Sequence, residues 1–204
     1  VILLSLLTFI GHHGPIPKGV WMRIIAGTHR GRTLVAPRVH PTRPTADRTR
    51  EAIFNVLGHA AFAPPIAGAK VADLFAGSGA LGLEALSRGA AWCLFVDSGA
   101  EPARVVAANL AALGCAGLAR VERRDATRGA APAEAPFDLV FLDPPYAAGL
   151  VEPALAVLRA GWLADHALVV VEQGQAEAPL LAPGFEILDE RTWGAAKVSF
   201  LAPT

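Results

Sequence analysis

The sequence predicts an α/β fold: a mostly parallel sheet with helices on both faces, finished by an antiparallel strand pair near the C-terminus. Three observations predict it. Residues 71–82 run from an apolar stretch through a carboxylate into a glycine-rich turn, and a helical pattern starts at Ala80. From Val71 onward, continuous apolar runs alternate with helical ones, as strands buried on both faces require. Four of those runs lead into acids, Asp73, Asp97, Asp125 and Asp143, at the strand ends where open α/β sheets hold ligands.

Composition sets the limits. A chain of 204 residues suits one domain with a small extension, and 53% hydrophobic residues can build a sizeable core. Formal net charge is zero, so no global field draws in a polyanion, and any nucleic-acid contact must be local. Cys93 and Cys115 have no metal or redox spacing and read as reduced thiols. The six histidines are scattered, so no metal is expected.

Residues 1–21 look foreign to the rest of the chain. The apolar run Val1–Ile10 is shorter than the roughly 20 residues of a membrane span. It lacks a signal peptide's basic lead-in, and the stretch 11–17 is no small-residue cleavage site. The expectation is a leader outside the natural protein, which would start at Met22, the only methionine. A weak secretion signal is the alternative.

Residues 22–65 read as a basic extension. Segments 23–26 and 32–35 flank a turn with Gly27 and Gly31 at its ends, the pattern of a hairpin. A proline-broken loop, 36–44, comes next. Thr45 can cap the next helix, with Asp47 favouring its dipole and Gly58 marking its end. Ala52, Ile53, Val56 and Leu57 share one face at helical spacing. Arg43, Arg50, Glu51 and Asn55 read as too polar for a core, so this helix is expected to lie over a ligand. Between Arg23 and Arg50 stand seven arginines (23, 30, 32, 38, 43, 48, 50) against one acid, Asp47. Such a local excess suits a phosphate backbone.

The linker Ala63–Pro65 opens the main unit, 66–204. Strands are predicted at 71–75, 92–96, 119–123, 137–142 and 168–172, with helices at 80–88, 101–113 and 150–159. The tail, 185–192 and 196–201, has no helix between its strands and should pair antiparallel.

The motifs carry the chemistry. Gly77-x-Gly79-x-x-Gly82 lets the backbone approach a ligand and aims helical N–H groups at it. Asp97 lies 20 residues after Gly77, the spacing of an acid that grips ribose hydroxyls. By itself this fingerprint equally suits a nicotinamide enzyme. Asp143-Pro144-Pro145-Tyr146 is more specific. Two prolines fix the turn and donate nothing. The turn therefore presents a carboxylate, bare carbonyls and one aromatic ring. An exocyclic amine can donate to Asp143 and to the Pro144 carbonyl while its base stacks on Tyr146, the only tyrosine.

Asp-Pro-Pro-Tyr after the fourth strand resembles the amino-methyltransferase signature. Residues Asp73–Gly82 resemble motif I of the class I S-adenosylmethionine-dependent methyltransferases, with their Rossmann-like fold. More narrowly, Arg23–Gly27, Arg30-Gly31-Arg32, Arg43-Pro44-Thr45-x-Asp47-Arg48-x-Arg50-Glu51 and Phe75–Arg88 resemble the bacterial 16S rRNA guanine-N2 methyltransferases of the RsmD family. The likeness runs from Met22 nearly to the end. It departs at Asp97, where glutamate is equally expected.

The resemblance implies S-adenosyl-L-methionine as cofactor and N2 of a guanine in 16S rRNA of the small ribosomal subunit as acceptor. It implies that Asp73, Phe75, Gly77, Ser78 and Gly79 border the methionine part. Asp97 would hold the ribose, and Asp125 with Ala126 would meet the adenine. Asp143, Pro144, Pro145 and Tyr146 would hold the target base. Arg23, Arg30, Arg32, Arg43, Arg48 and Arg50 would bind RNA. A cytoplasmic monomer is expected, with neither metal nor membrane. The rivals are a DNA adenine-N6 methyltransferase, a nicotinamide dehydrogenase and a non-catalytic RNA-binding protein. Against the dehydrogenase, none of the three lysines closely follows Tyr146.

Overall fold

The structure, a computed structural model, describes residues 22–37 and 44–204, apart from the side chains of 44–46. The leader 1–21, Arg38, Arg43 and the Thr45 cap lie outside the described residues. Strands β1 (Met22–Arg23) and β2 (Thr33–Leu34) pair antiparallel, and α1 spans Pro44–His59. Then β3 (Lys70–Leu74), α2 (Ala80–Ser87), β4 (Trp92–Asp97), α3 (Ala100–Leu113) and β5 (Ala119–Arg123) alternate. The chain continues through β6 (Phe137–Leu142), α4 (Val151–Leu158), β7 (Leu163–Gly174), β8 (Phe185–Trp193) and β9 (Ala196–Pro203).

The seven strands from β3 onward form one sheet, ordered β5-β4-β3-β6-β7-β9-β8. Strands β3 to β7 pair parallel, and β9 returns antiparallel between β7 and β8. The chain winds outward from β3 to β5 and then crosses back to β6. Neighbours β3 and β6 therefore flank the switch point, where their onward connections leave in opposite directions and a crevice opens.

Alternation along each strand feeds two apolar layers. Cys93, Phe95, Leu139, Phe141, Leu168 and Val170 face the layer under α1, α2 and α3. Leu94, Val96, Val140, Leu142, Val169 and Val171 face the layer under α4. Helix α1 contributes Ile53, Phe54, Val56 and Leu57 to the first layer, and the Phe54 ring sits 5.6 Å from that of Phe141.

Two elements differ from their sequence-based expectations. Strand β7 begins at Leu163 rather than Leu168, because the β6 register jumps between Phe137–Leu163 and Leu139–Leu168. This irregularity admits exposed Asp165 and His166, which break the apolar pattern. The hairpin strands are only two residues long. Downstream of β1, the Ile25 and Ala26 N–H groups donate to the two carboxylate oxygens of Glu84 at 2.7 and 3.0 Å.

Glu84, on α2, is fully buried and also accepts from Arg88 Nε at 2.8 Å. One turn on, Ser87 Oγ donates to the Ala26 carbonyl at 2.5 Å and accepts from the His29 N–H at 3.0 Å. The turn lies so close that a Cβ on Gly27 would stand 1.8 Å from the Ser87 carbonyl oxygen, and φ there is +80°. Only glycine meets both demands. The hairpin is thus fixed to α2 by the Glu84 and Ser87 side chains and by the Thr28 N–H, which donates to the Ser87 carbonyl at 2.8 Å. Glu84→Ala, which orphans two hairpin amides and leaves Arg88 only its contact over the Phe54 ring, is expected to cost about 3–5 kcal/mol in urea denaturation. A loss below about 1 kcal/mol would show that the hairpin is held otherwise.

Candidate functional site

A cavity of about 950 Å³ opens above the C-terminal ends of β3, β4, β6 and β7, roofed by the hairpin and α1. Every cofactor and base residue expected from the sequence borders it, except Gly79, which lies one position before α2.

The loop after β3 is built by carboxylates. Asp73, buried on β3, accepts from the Gly82 N–H at 2.9 Å and so anchors the first turn of α2. Burial pushes its carboxyl up to about 7, with the charge of Asp97 adding to the rise and the Gly82 N–H opposing it. A Cβ on Gly82 would meet Phe95 at 2.4 Å and Cys93 Sγ at 2.7 Å, so glycine lets α2 lie directly on β4. Asp97 ends β4 and bridges two loops. It accepts from Gly77 N–H at 3.0 Å and from Gly99 N–H at 2.8 Å. Each oxygen keeps a second lone pair for a hydroxyl donor. Ser78 is buried, and its hydroxyl donates to Met22 Sδ at 3.5 Å. Phe75 adopts φ +62°, a left-handed conformation that is strained for a bulky side chain.

At the far end, Asp125 accepts from both the N–H and the hydroxyl of Thr127, at 2.9 and 2.7 Å, which hold its carboxyl below the usual range. Ala126 beside it is buried. Asp143 stands one residue past β6, with its N–H 3.4 Å from the Leu74 carbonyl. Burial, the charge of Glu172 and the charge of Asp73 all push the Asp143 carboxyl well up. Pro144 is buried and Pro145 exposed. Tyr146 is 43% exposed at the rim, and its hydroxyl donates to Glu172 Oε1 at 2.7 Å. Burial pushes the Glu172 carboxyl up as well, against that hydrogen bond.

The arginines divide. Arg23, Arg30 and Arg48 are exposed, and Arg32 is exposed while donating to the Ala112 carbonyl at 2.9 Å. Arg50, expected to be too polar for the interior, is instead only 4% exposed, and it borders the cavity. It pairs with Asp47 at 3.1 Å and donates to the Arg23 carbonyl at 2.7 Å, while its buried Nε has no partner. Desolvation lowers its pKa.

Sequence reasoning missed several residues. Glu172 closes the expected strand 168–172 and lies just past the parallel β6–β7 ladder, so the rule that picked out the four acids would have found it. Asn109 bonds both polar groups of Val35 and the Ser78 carbonyl, tying β2's end to the glycine-rich loop. Trp193 and Ala196, from the β8–β9 turn, complete the wall beside Glu172. No local pattern marks these. Among the described residues, no cluster of histidine, cysteine or acidic groups suits a metal ion, and no helix is long and apolar enough to cross a membrane.

Comparison with known proteins agrees with this geometry. The model of the family described as Conserved hypothetical protein 95 matches residues 22–202. Ribosomal RNA small subunit methyltransferase D of Escherichia coli is 46% identical over 152 residues, 74% of each chain. Its namesake in Haemophilus influenzae is 38% identical over 189 residues, covering 88% of this chain and 92% of that protein. The solved structure of yhhF from Escherichia coli, described as a methyltransferase, superposes with a TM-score of 0.75 at 38% identity, over 90% of this chain and 98% of that one. A ribosomal protein L11 methylase from Lactobacillus delbrueckii, at 19% identity and a TM-score of 0.61, shares the fold. With a family match from the hairpin to the last strand and a cavity at the switch point of a Rossmann-like sheet, the chain belongs to the Conserved hypothetical protein 95 family, the RsmD-type methyltransferases.

Proposed function

We propose that this protein transfers a methyl group from S-adenosyl-L-methionine to N2 of a guanine in 16S rRNA of the small ribosomal subunit, acting as a cytoplasmic monomer. The observation that carries the reading is the Asp143–Tyr146 corner, held between β3 and β7 and opening on the same cavity as the glycine-rich loop.

The donor set suits this cofactor. A Cβ on Gly77 would meet only the Phe75 carbonyl, at 3.9 Å, so the loop leaves room beside its backbone. Asp97 can accept ribose hydroxyls while keeping its two amide bonds. An ammonium group near Asp73 would favour its charged form and offset the burial that raises it. The adenine would lie toward Asp125 and Ala126. Arg50 is reassigned from the RNA to the cofactor's carboxylate. Among the described residues the cavity has two cations, Arg50 and Arg124. Arg124 lies over the Trp162 ring, 4.7 Å from its centroid, next in sequence to Asp125 and thus at the adenine end. Arg50 bonds the Arg23 carbonyl beside Met22, which touches Ser78, and so stands at the methionine end.

The cofactor when bound supplies an activated methyl on a cationic sulfur. The chain's residues then have modest tasks. Guanine N2 is a weak nucleophile because its lone pair is delocalised into the ring. Asp143 and the Pro144 carbonyl would accept hydrogen bonds from its two N–H groups, aligning it and stabilising the charge that develops; as the N–C bond forms and the S–C bond breaks, S-adenosylhomocysteine leaves and one of those protons is lost on the Asp143 side. Tyr146 at the rim stacks on the extruded base, which returns about 1–3 kcal/mol of the unstacking cost. A hydride-transfer reading would need a lysine beside the tyrosine, whereas this tyrosine's hydroxyl is bonded to Glu172.

Three measurements test this reading. Asp143→Ala should lower methyl transfer about 10²–10³-fold. Cofactor binding by calorimetry should persist, and thermal stability should not fall, because a repulsive neighbour of Asp73 and Glu172 is removed; wild-type turnover would overturn the assignment. Arg50→Gln should weaken binding of S-adenosylhomocysteine about tenfold or more by calorimetry, against unchanged affinity if Arg50 serves RNA alone. Arg30→Ala or Arg48→Ala should lower RNA affinity and shrink the slope of log K against log salt by about 0.7–0.9 per lost phosphate contact. A salt-independent affinity would remove these arginines from the RNA-binding surface.

A further inference from the structure

Glu172 is a half-buried titratable side chain in this cavity for which the methyl-transfer step itself has no use. Strands β6 and β7 run parallel with Leu142 opposite Val171, so Asp143 and Glu172 are the next pair beyond the ladder. Paired residues of neighbouring strands point to the same face. Both side chains border the cavity, and the Tyr146 hydroxyl fixes one Glu172 oxygen at 2.7 Å. Two carboxylates side by side repel, and a fold gains nothing from placing them there. The arrangement suits a ligand edge carrying two adjacent donors.

We infer that Glu172, oriented by the Tyr146 hydroxyl, accepts the N1–H of the target base and so selects guanine over adenine. This rests on the proposed function. Guanine presents N1–H and the N2 amine next to each other, one donor for each strand-end acid. Adenine places its amine beside a bare N1 lone pair, which a carboxylate acceptor opposes. The hydroxyl donor on Glu172 favours its charged, acceptor-only form, against the burial that pushes its carboxyl up. A site that pairs a substrate N–H discriminates strongly against an analogue lacking it, because its own polar group is then left unsatisfied.

The test uses the full-length protein and small-subunit rRNA with the modified nucleotide first mapped in wild-type product. Guanine there is replaced by 2-aminopurine, which keeps the N2 amine but has a lone pair at N1. Wild type should prefer guanine by about tenfold to a hundredfold in kcat/KM. Glu172→Gln offers an amide N–H in place of one oxygen. It should lose activity on guanine but much less on 2-aminopurine, so the preference collapses by about tenfold or more. Tyr146→Phe, which keeps the ring, should reduce the preference in the same direction. Calorimetry with S-adenosylhomocysteine establishes that each variant is folded. An equal loss on both bases overturns the inference and leaves guanine-N2 transfer intact. A wild-type product without N2-methylguanine overturns the underlying reading and this inference with it.

Discussion

Like charge crowded at the ends of three neighbouring strands is the constraint on which the site depends. Asp73 on β3, Asp143 after β6 and Glu172 on β7 converge on one cavity, and burial opposes ionising each. In water such groups would be charged and separate; here the parallel register holds them together. A ligand that brings positive charge and N–H donors offsets that cost, whereas an anionic or acceptor-rich one adds to it. A sulfonium cofactor with an ammonium group, together with a base presenting an amine, is complementary to this cavity in sign and in hydrogen-bond sense. On the proposed reading, Arg50 would take the cofactor's one carboxylate and Arg124 would stand at the adenine end.

The roof is held by the same chemistry turned to structural use. Glu84 has no exposure, yet its charge is matched by Arg88 and by two hairpin amides, so its burial fixes an interface. Ser87, Asn109 and the glycine at 27 extend the same seam. The basic segment therefore meets the main unit through directional bonds from α2 and α3. On the proposed reading, the exposed hairpin arginines would then cost less entropy on binding RNA than a free arm.

Much of the fold was legible because its strands are buried on both faces. Apolar runs at 92–96 and 137–142 needed no tertiary information, and the strand-end acids marked the ligand edge. What escaped was set by packing across the sequence. Polar Asp165 and His166 hid the start of β7 because an irregular register, invisible locally, accommodates them. Arg50 looked like a surface residue by type; only the fold supplies the Asp47 carboxylate and the Arg23 carbonyl that let it be buried. Glu172 was visible as a strand-end acid, but its meaning comes from the strand that becomes its neighbour.

Backbone strain falls in the same place as the charge. Among the described non-glycine residues, Phe75 and Ala147 alone have positive φ, at +62° and +57°. One lies just past β3 and leads into the glycine-rich loop; the other comes directly after Tyr146. Each costs on the order of 1–3 kcal/mol and persists only where surrounding structure over-determines it. Here the restraints are identifiable: Ala76 N–H bonds the Val96 carbonyl just beyond Phe75, and Tyr146 is fixed to Glu172 just before Ala147. Local preference, charge and conformation are thus all overruled on two loops facing one cavity. On the proposed reading, the two strained loops would position donor and acceptor against each other before either ligand arrives.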